Sequence, residues 1–168
     1  MAIRLFNFQQ LRAPYVVVGG LATALYMPER MTRDVDVLTT SAHYEQLADE
    51  LRAAFCRRLG TLGIGGWLWE TADGIEFDVL VSDTVWAREA VAHPNCAPDG
   101  TPIVALPYLA LMKLQAGRAQ DVADLSRMLG GADTIAWAAV VDVLARYGDA
   151  DMVENATRLR ALGLLEYE

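Results

Sequence analysis

Hydrophobic and polar positions along this chain follow two rhythms. Up to about residue 105, short apolar runs alternate with polar turns. From Pro107 onward apolar residues recur every three or four positions, the spacing of helices. Residues 15–18 (YVVV) form a continuous apolar run, the pattern of a strand buried on both faces. Gly19-Gly20 ends the run. Residues 21–26 then read as a short helix stopped at Met27-Pro28, because a residue before proline avoids the helical region. A second strand is expected over 34–38. Ser41 is placed to cap a helix that carries Tyr44, Leu47, Leu51 and Phe55 along one stripe and ends near Gly60. Strands are expected over 67–70 and 75–81, on either side of the Asp73-Gly74 turn signal. Short helices are expected over 5–11 and 83–92. A Pro/Gly/Asn-rich connection over 94–102 leads into a small hairpin ending at 103–105. Four further stripes predict four helices, with breaks at Gly130-Gly131 and Gly148. They are Leu109/Met112/Ala116, Val122/Leu125/Leu129, Trp137/Val140/Val141/Leu144 and Met152/Ala156/Leu159.

These elements predict an α/β (α+β) fold. A small mixed sheet with helices occupies residues 1–106, and a helical region packs on it over 107–168, the two forming one compact unit. The 168 residues suffice for one domain with a real core. No stretch approaches the ~20 apolar residues of a membrane helix, and the N-terminus lacks the features of a signal peptide. A cytoplasmic protein with no membrane partner is expected. The net charge of −8 disfavours non-specific binding to DNA or RNA, while leaving room for a local basic pocket. Cys56 and Cys96 form no CxxC pair, which argues against a metal–thiolate site, and both read as reduced thiols.

The chemistry of the chain lies in its carboxylates. In a strand, side chains at i and i+2 share a face. Asp34-Val35-Asp36-Val37 therefore puts two valines toward a core and two aspartates on the other side. Like charges so placed repel unless they are protonated, solvated or bridged by a cation, and a hard divalent ion such as Mg²⁺ suits oxygen ligands. The alternative is a solvated face of an edge strand. Ile75-Glu76-Phe77-Asp78-Val79 alternates in the same way. If the two strands are neighbours, Asp78 joins Asp34 and Asp36, and three carboxylates can hold two cations. Gly19-Gly20, between a strand and a helix, offers free backbone N–H groups to an anion, although a tight turn is the commoner meaning of paired glycines.

The segments VVVGG (16–20), TRDVDVL (32–38) and IEFDVLV (75–81) together resemble the DNA polymerase β-like nucleotidyltransferase superfamily. With LALMKLQAGRAQDVADLSRML (109–129), the chain is most similar to small bacterial nucleotidyltransferase-like proteins related to type IV abortive-infection toxins. The resemblance implies transfer of a nucleoside monophosphate from a Mg-bound triphosphate to an acceptor hydroxyl, the acceptor being RNA, protein or a small molecule. It implies Asp34 and Asp36 as metal ligands for two Mg²⁺ ions. Asp78 would be the third carboxylate, able to accept a proton or hold metal. Gly19, Gly20, Thr32, Arg33 and Lys113 would bind nucleotide, with Arg118 and Asp121 in support. One departure stands out: active transferases often carry Ser where this chain has Gly20. That motivates an alternative, a catalytically silent binding module in a toxin–antitoxin type system with an antitoxin-like partner. A third reading is a small-molecule adenylyltransferase, whose cationic acceptor would suit an acidic surface.

Other residues carry weaker chemistry. Lys113 can snorkel from its apolar helix. Arg118, Asp121, Asp124 and Arg127 have the spacing of a salt-bridged surface. His43 and His93 lack acidic or cysteine partners at motif spacing and read as structural or exposed. Trp67 and Trp69 share a strand face that packs the core or stacks a base.

Overall fold

The computed structural model describes residues 7–27, 32 and 34–166. Its architecture is mixed α/β, with a seven-stranded mixed sheet in the order β3-β4-β5-β2-β1-β7-β6. The chain divides into two compact units, residues 1–21 with 32–104 and residues 22–31 with 105–168.

The sheet is built around β1 (Val16–Val18). It pairs antiparallel with β2 (Asp36–Thr39) and parallel with β7 (Pro102–Ile103). All three valines are at most 1% exposed, so side chains on both faces of the strand are buried, which is what the unbroken valine run requires. Burial of this kind contributes roughly 1.5–3 kcal/mol per side chain. The polar groups of the flanking segment are also satisfied. The Tyr15 hydroxyl donates to the Phe8 carbonyl at 2.6 Å, and the Thr39 hydroxyl donates to the Pro14 carbonyl at 2.8 Å.

β4 (Gly66–Glu70) and β5 (Glu76–Val81) form the hairpin expected around Asp73-Gly74, and β5 then pairs parallel with β2. α2 (Ser41–Ala53) buries Tyr44, Leu47, Ala48 and Leu51. Tyr44 stacks on Trp67 at 6.0 Å between ring centroids, and Arg52 lies over Trp69, which is fully buried. The Arg58 guanidinium lies 4.1 Å from the Trp67 centroid. Trp67 and Trp69 therefore serve the packing of α2 on the sheet, and Trp67 already has Tyr44 and Arg58 against its ring. α3 (Val85–Ala92) starts at a true cap, the Thr84 hydroxyl accepting from the Ala87 N–H. β6 (Asn95–Cys96) and β7 form the small hairpin and close the other edge.

Several expectations on this unit require correction. The helix expected over 5–11 is a 3₁₀ turn at Phe8–Gln10, with Leu5 and Phe6 outside the described residues. α1 (Gly19–Tyr26) begins in the two glycines rather than after them. Ser41 is the first residue of α2, not its cap. Its N–H instead donates to the Asp83 carboxylate at 3.0 Å; hydrogen bonds from the Ser41 side chain and then from this N–H hold the Asp83 carboxyl below the usual range. Phe55 does not continue the α2 stripe. α2 ends at Ala53, and Phe55 is 82% exposed with φ +63°. Residues 57–61, expected to be helix and turn, form the edge strand β3 (Arg57–Thr61), with Gly60 inside it.

The second unit contains four helices after residue 105, as the stripes predict: α4 (Leu106–Ala116), α5 (Ala119–Gly130), α6 (Thr134–Tyr147) and α7 (Met152–Leu164). Pro107 lies in the first turn of α4, where its missing N–H costs nothing. The Asp133 carboxylate caps α6 by accepting from the Ala136 N–H at 2.8 Å. α5 and α7 approach closely at Gly130 and Gly163, where any side chain would strike the opposite backbone. Two stripe members are misplaced: Ala116 is exposed and Val122 is 43% exposed. The buried face of α5 instead runs through Asp121, Asp124, Leu125, Met128 and Leu129. Among the described residues no helix is long and apolar enough to cross a membrane.

Candidate functional site

The alternation read in the two acidic strands is realised. Val35 and Val37 are buried, while Asp34 is exposed and Asp36 is half-buried. On β5, Phe77 and Val79 are buried, Glu76 is exposed and Asp78 is half-buried. β2 and β5 are direct neighbours, and Asp36 lies opposite Asp78 in their register. Register partners on adjacent strands are ~4.8 Å apart and point to the same face. Asp34 precedes β2. The Val35 carbonyl accepts from the Asp78 N–H at 3.1 Å, so the strand-to-strand contact already begins beside it.

The electrostatics fit that proximity. The Asp78 carboxyl is pushed above its ordinary range, first by burial, then by the charge of Asp34, then by that of Glu76. Asp36 lies against the start of α1. A Cβ on Gly19 would fall onto the Asp36 carboxylate, and Gly19 also has φ +64°, a backbone region that favours glycine. Gly19 thus does two jobs, turning the chain from β1 into α1 and leaving room for Asp36. Gly20 faces Thr32, whose hydroxyl oxygen would lie 2.5 Å from a Cβ at position 20. Thr32 Oγ1 accepts from the Asp34 N–H at 3.3 Å. Arg33 lies outside the described residues. Among the described residues, no three His, Cys, Asp or Glu side chains are drawn together as a ready-made metal cage.

Five of the named residues therefore gather at one end of β1, β2 and β5 in the first unit: Gly19, Gly20, Thr32, Asp36 and Asp78, with the Asp34 charge acting on Asp78. Chemically the arrangement can offer carboxylate oxygens to a hard cation and backbone N–H groups at a helix start to an anion.

Lys113, Arg118 and Asp121 form a second cluster, within the helical unit. Lys113 does not snorkel. Its side chain is 8% exposed, and its ammonium donates to Asp121 at 3.0 Å and to Asp124 at 2.8 Å. Arg118 Nε donates to the other oxygen of Asp121 at 2.6 Å, and Gln120 donates to Asp124 at 3.0 Å. Burial alone would raise the Asp121 carboxyl, but hydrogen bonds from Arg118 and Lys113 outweigh it and hold it below its ordinary range. Of the four residues read as a salt-bridged surface, Arg118 and Arg127 are exposed and paired, to Asp121 and Glu166, but Asp121 and Asp124 are buried and form an ionic clasp with Lys113. Asp124 is the member that sequence reasoning undervalued. Its signal was the i, i+3 relation to Asp121 on the buried side of α5.

A cavity of about 340 Å³ opens elsewhere in the first unit, between Arg12, Tyr15, Pro94, Asp99 and Pro102. It is not lined by the acidic residues above.

Comparison with known proteins gives the following. No family profile and no curated protein sequence matches the chain. Among solved structures, the chain is similar to the antibiotic-resistance factor ANT(2'')-Ia in solution, at 17% identity and TM-score 0.47, over 92% of this chain and 83% of that one. It is also similar to ANT(2'')-Ia in complex with adenylyl-2''-tobramycin, at 18% identity and TM-score 0.45, over 92% and 89%. The Megavirus polyadenylate synthase matches at 12% identity and TM-score 0.36, over 95% of this chain and 32% of that one. At these identities and TM-scores the likenesses assign neither activity nor substrate.

Proposed function

We propose that the chain is a cytoplasmic nucleotidyltransferase, which moves a nucleoside monophosphate from a Mg-bound triphosphate to an acceptor hydroxyl. The observation that carries the reading is the pairing of Asp36 with Asp78 across β2 and β5, beside the glycine-led start of α1. Carboxylates are hard oxygen donors, which fit Mg²⁺ better than a soft metal. Asp34, Asp36 and Asp78 would hold the ions, which would neutralise charge on the triphosphate when bound. The start of α1 would receive phosphate oxygens through backbone N–H groups, with Thr32 and Arg33 alongside. Asp78, with a raised carboxyl, is suited to take the proton of the acceptor hydroxyl. The hydroxyl oxygen then bonds to the α-phosphorus and pyrophosphate leaves.

Calorimetry with Mg²⁺ and each nucleoside triphosphate tests the reading. One triphosphate should bind, and Asp36→Asn should abolish transfer of labelled nucleotide. A folded protein that binds none of the four overturns it, and transfer that survives Asp36→Asn overturns the role given to Asp36.

A second reading, the catalytically silent module with an antitoxin-like partner, is favoured by one observation: no side-chain hydroxyl is present at Gly20. Copurification of a partner without any turnover would select it.

A further inference from the structure

Gly20 is not glycine for backbone reasons. It is the second residue of α1, and it is absent from the glycines with positive φ. What requires glycine is space. A Cβ at position 20 would lie 2.5 Å from Thr32 Oγ1, 2.9 Å from Thr32 Cβ and 3.1 Å from Thr32 Cγ2. The first two are closer than a Cβ approaches a non-bonded atom, and the third is tight, so Thr32 would have to shift. Thr32 therefore stands against the first turn of α1, where helical N–H groups have no partner further back in the helix. Its orientation is tied to the acidic strand, because Oγ1 accepts from the Asp34 N–H. A hydroxyl that accepts one hydrogen bond still carries its own proton to donate.

We propose that Thr32 supplies the side-chain hydroxyl that meets the triphosphate at the start of α1, and that Gly20 is glycine so that Thr32 can stand there. The inference rests on the nucleotide reading above and deepens it. The donor reaches the phosphate from the segment leading into β2, and the helix gives up its own side chain to admit it. Thr32 is then a binding residue whose position depends on residue 20, so the two positions must behave as a coupled pair.

The test is calorimetry with Mg²⁺ and the triphosphate that the wild-type protein binds most tightly, with thermal melts confirming that each variant is folded. Thr32→Val keeps the shape and removes the donor; it should weaken binding about tenfold or more, as expected for a lost hydrogen bond to a charged group. Thr32→Ser keeps the donor and should stay within about twofold by the same arithmetic. Gly20→Ser forces a side chain into the space of Thr32 and should lower both affinity and melting temperature. The double variant Gly20→Ser/Thr32→Gly removes the collision and should recover most of the loss in melting temperature, while its affinity stays as low as that of Thr32→Val, because the Thr32 hydroxyl is absent from both. Wild-type binding with Thr32→Val unchanged overturns the role of Thr32 and leaves the site reading standing. Additive effects in the double variant overturn the shared space. A wild-type protein that binds no triphosphate overturns the site reading, and this inference with it.

Discussion

Two groups of acids in this chain meet opposite fates. On the sheet, burial first, then the charge of Asp34 and then that of Glu76 drive the Asp78 carboxyl upward, with Asp36 opposite it in the register. In the helical unit, Asp121 and Asp124 are more deeply buried, at 2% and 1% exposure, yet Lys113, Arg118 and Gln120 occupy all four of their oxygens. Burial alone therefore does not separate a structural acid from a functional one. What separates Asp121 from Asp78 is the sign of the charge beside each: Arg118 and Lys113 for the one, Asp34 and Glu76 for the other. The clasp is complete as it stands. Beside Asp78 stand the like charges of Asp34 and Glu76, and under the proposed reading a bound cation would relieve that repulsion.

The largest expected effect tests the clasp. Lys113→Met removes the ammonium that bridges the two buried carboxylates, and breaking such a pair costs about 3–5 kcal/mol, because the partner charges stay buried. Urea denaturation should show the loss as a lower midpoint with an unchanged slope. A loss below about 1 kcal/mol, the range of exposed pairs, would mean that the clasp behaves as a surface salt bridge and the contrast fails.

The sheet face should respond with the opposite sign. Asp78 has a folded pKa above its unfolded value, near 3.9 for an aspartate. The folded state then binds the proton more tightly, so stability falls as pH rises from about 4 through the folded pKa. Asp78→Asn removes that penalty. Its melting temperature should exceed wild type by a few degrees at pH 7 and coincide with it near pH 3, where the aspartate is protonated in both states. Transfer activity should vanish in the same variant. Asp121 runs the other way. Its lowered pKa contributes stability above the unfolded value, and this is lost as pH falls through the folded one. An Asp78→Asn variant that melts below wild type at pH 7 would move Asp78 into the class of the clasp acids.

The sheet acids were legible because period-two alternation leaves only one arrangement for Val35 and Val37 against Asp34 and Asp36, and for Phe77 and Val79 against Asp78. What remained hidden depended on long-range partners. β3 reads RRLGT, with neither alternation nor a buried residue, because it is an edge strand. Phe55 has the right spacing for the α2 stripe, but α2 stops two residues earlier. The Phe55 N–H donates to the Arg52 carbonyl and the Cys56 N–H to the Leu51 carbonyl, closing the helix with Phe55 in the conformation usually left to glycine. No local signal announces a phenylalanine there, since it costs roughly 1–2 kcal/mol over an ordinary conformation. The clasp was hidden because Lys113 and Asp121 lie on different helices, separated by a break at Gly117 that the apolar stripes do not mark. The close approach of positions 20 and 32 was equally invisible, because it is a matter of space, not of pattern.

The smallest effect is the most discriminating about the sheet face itself. Asp34 ranks ahead of Glu76 among the charges that raise Asp78. Glu76 is exposed and lies opposite Glu70, but Glu70 is engaged by Arg57 at 2.7 Å, so part of the local charge is already balanced. Glu76→Gln should therefore change stability by less than about 0.5 kcal/mol, as for most surface substitutions. Its effect on the Asp78 titration, followed by carboxyl-carbon NMR, should be a small downward move. Asp34→Asn should move the same titration further in the same direction. If neither variant moves it, burial alone sets the Asp78 carboxyl, the acids do not act as a group, and the sheet face loses the like-charge repulsion that distinguishes it from the clasp. If Glu76→Gln moves it more than Asp34→Asn, the coupling runs along β5 rather than across to β2. A cation would then be expected between Glu76 and Asp78 instead of between Asp36 and Asp78.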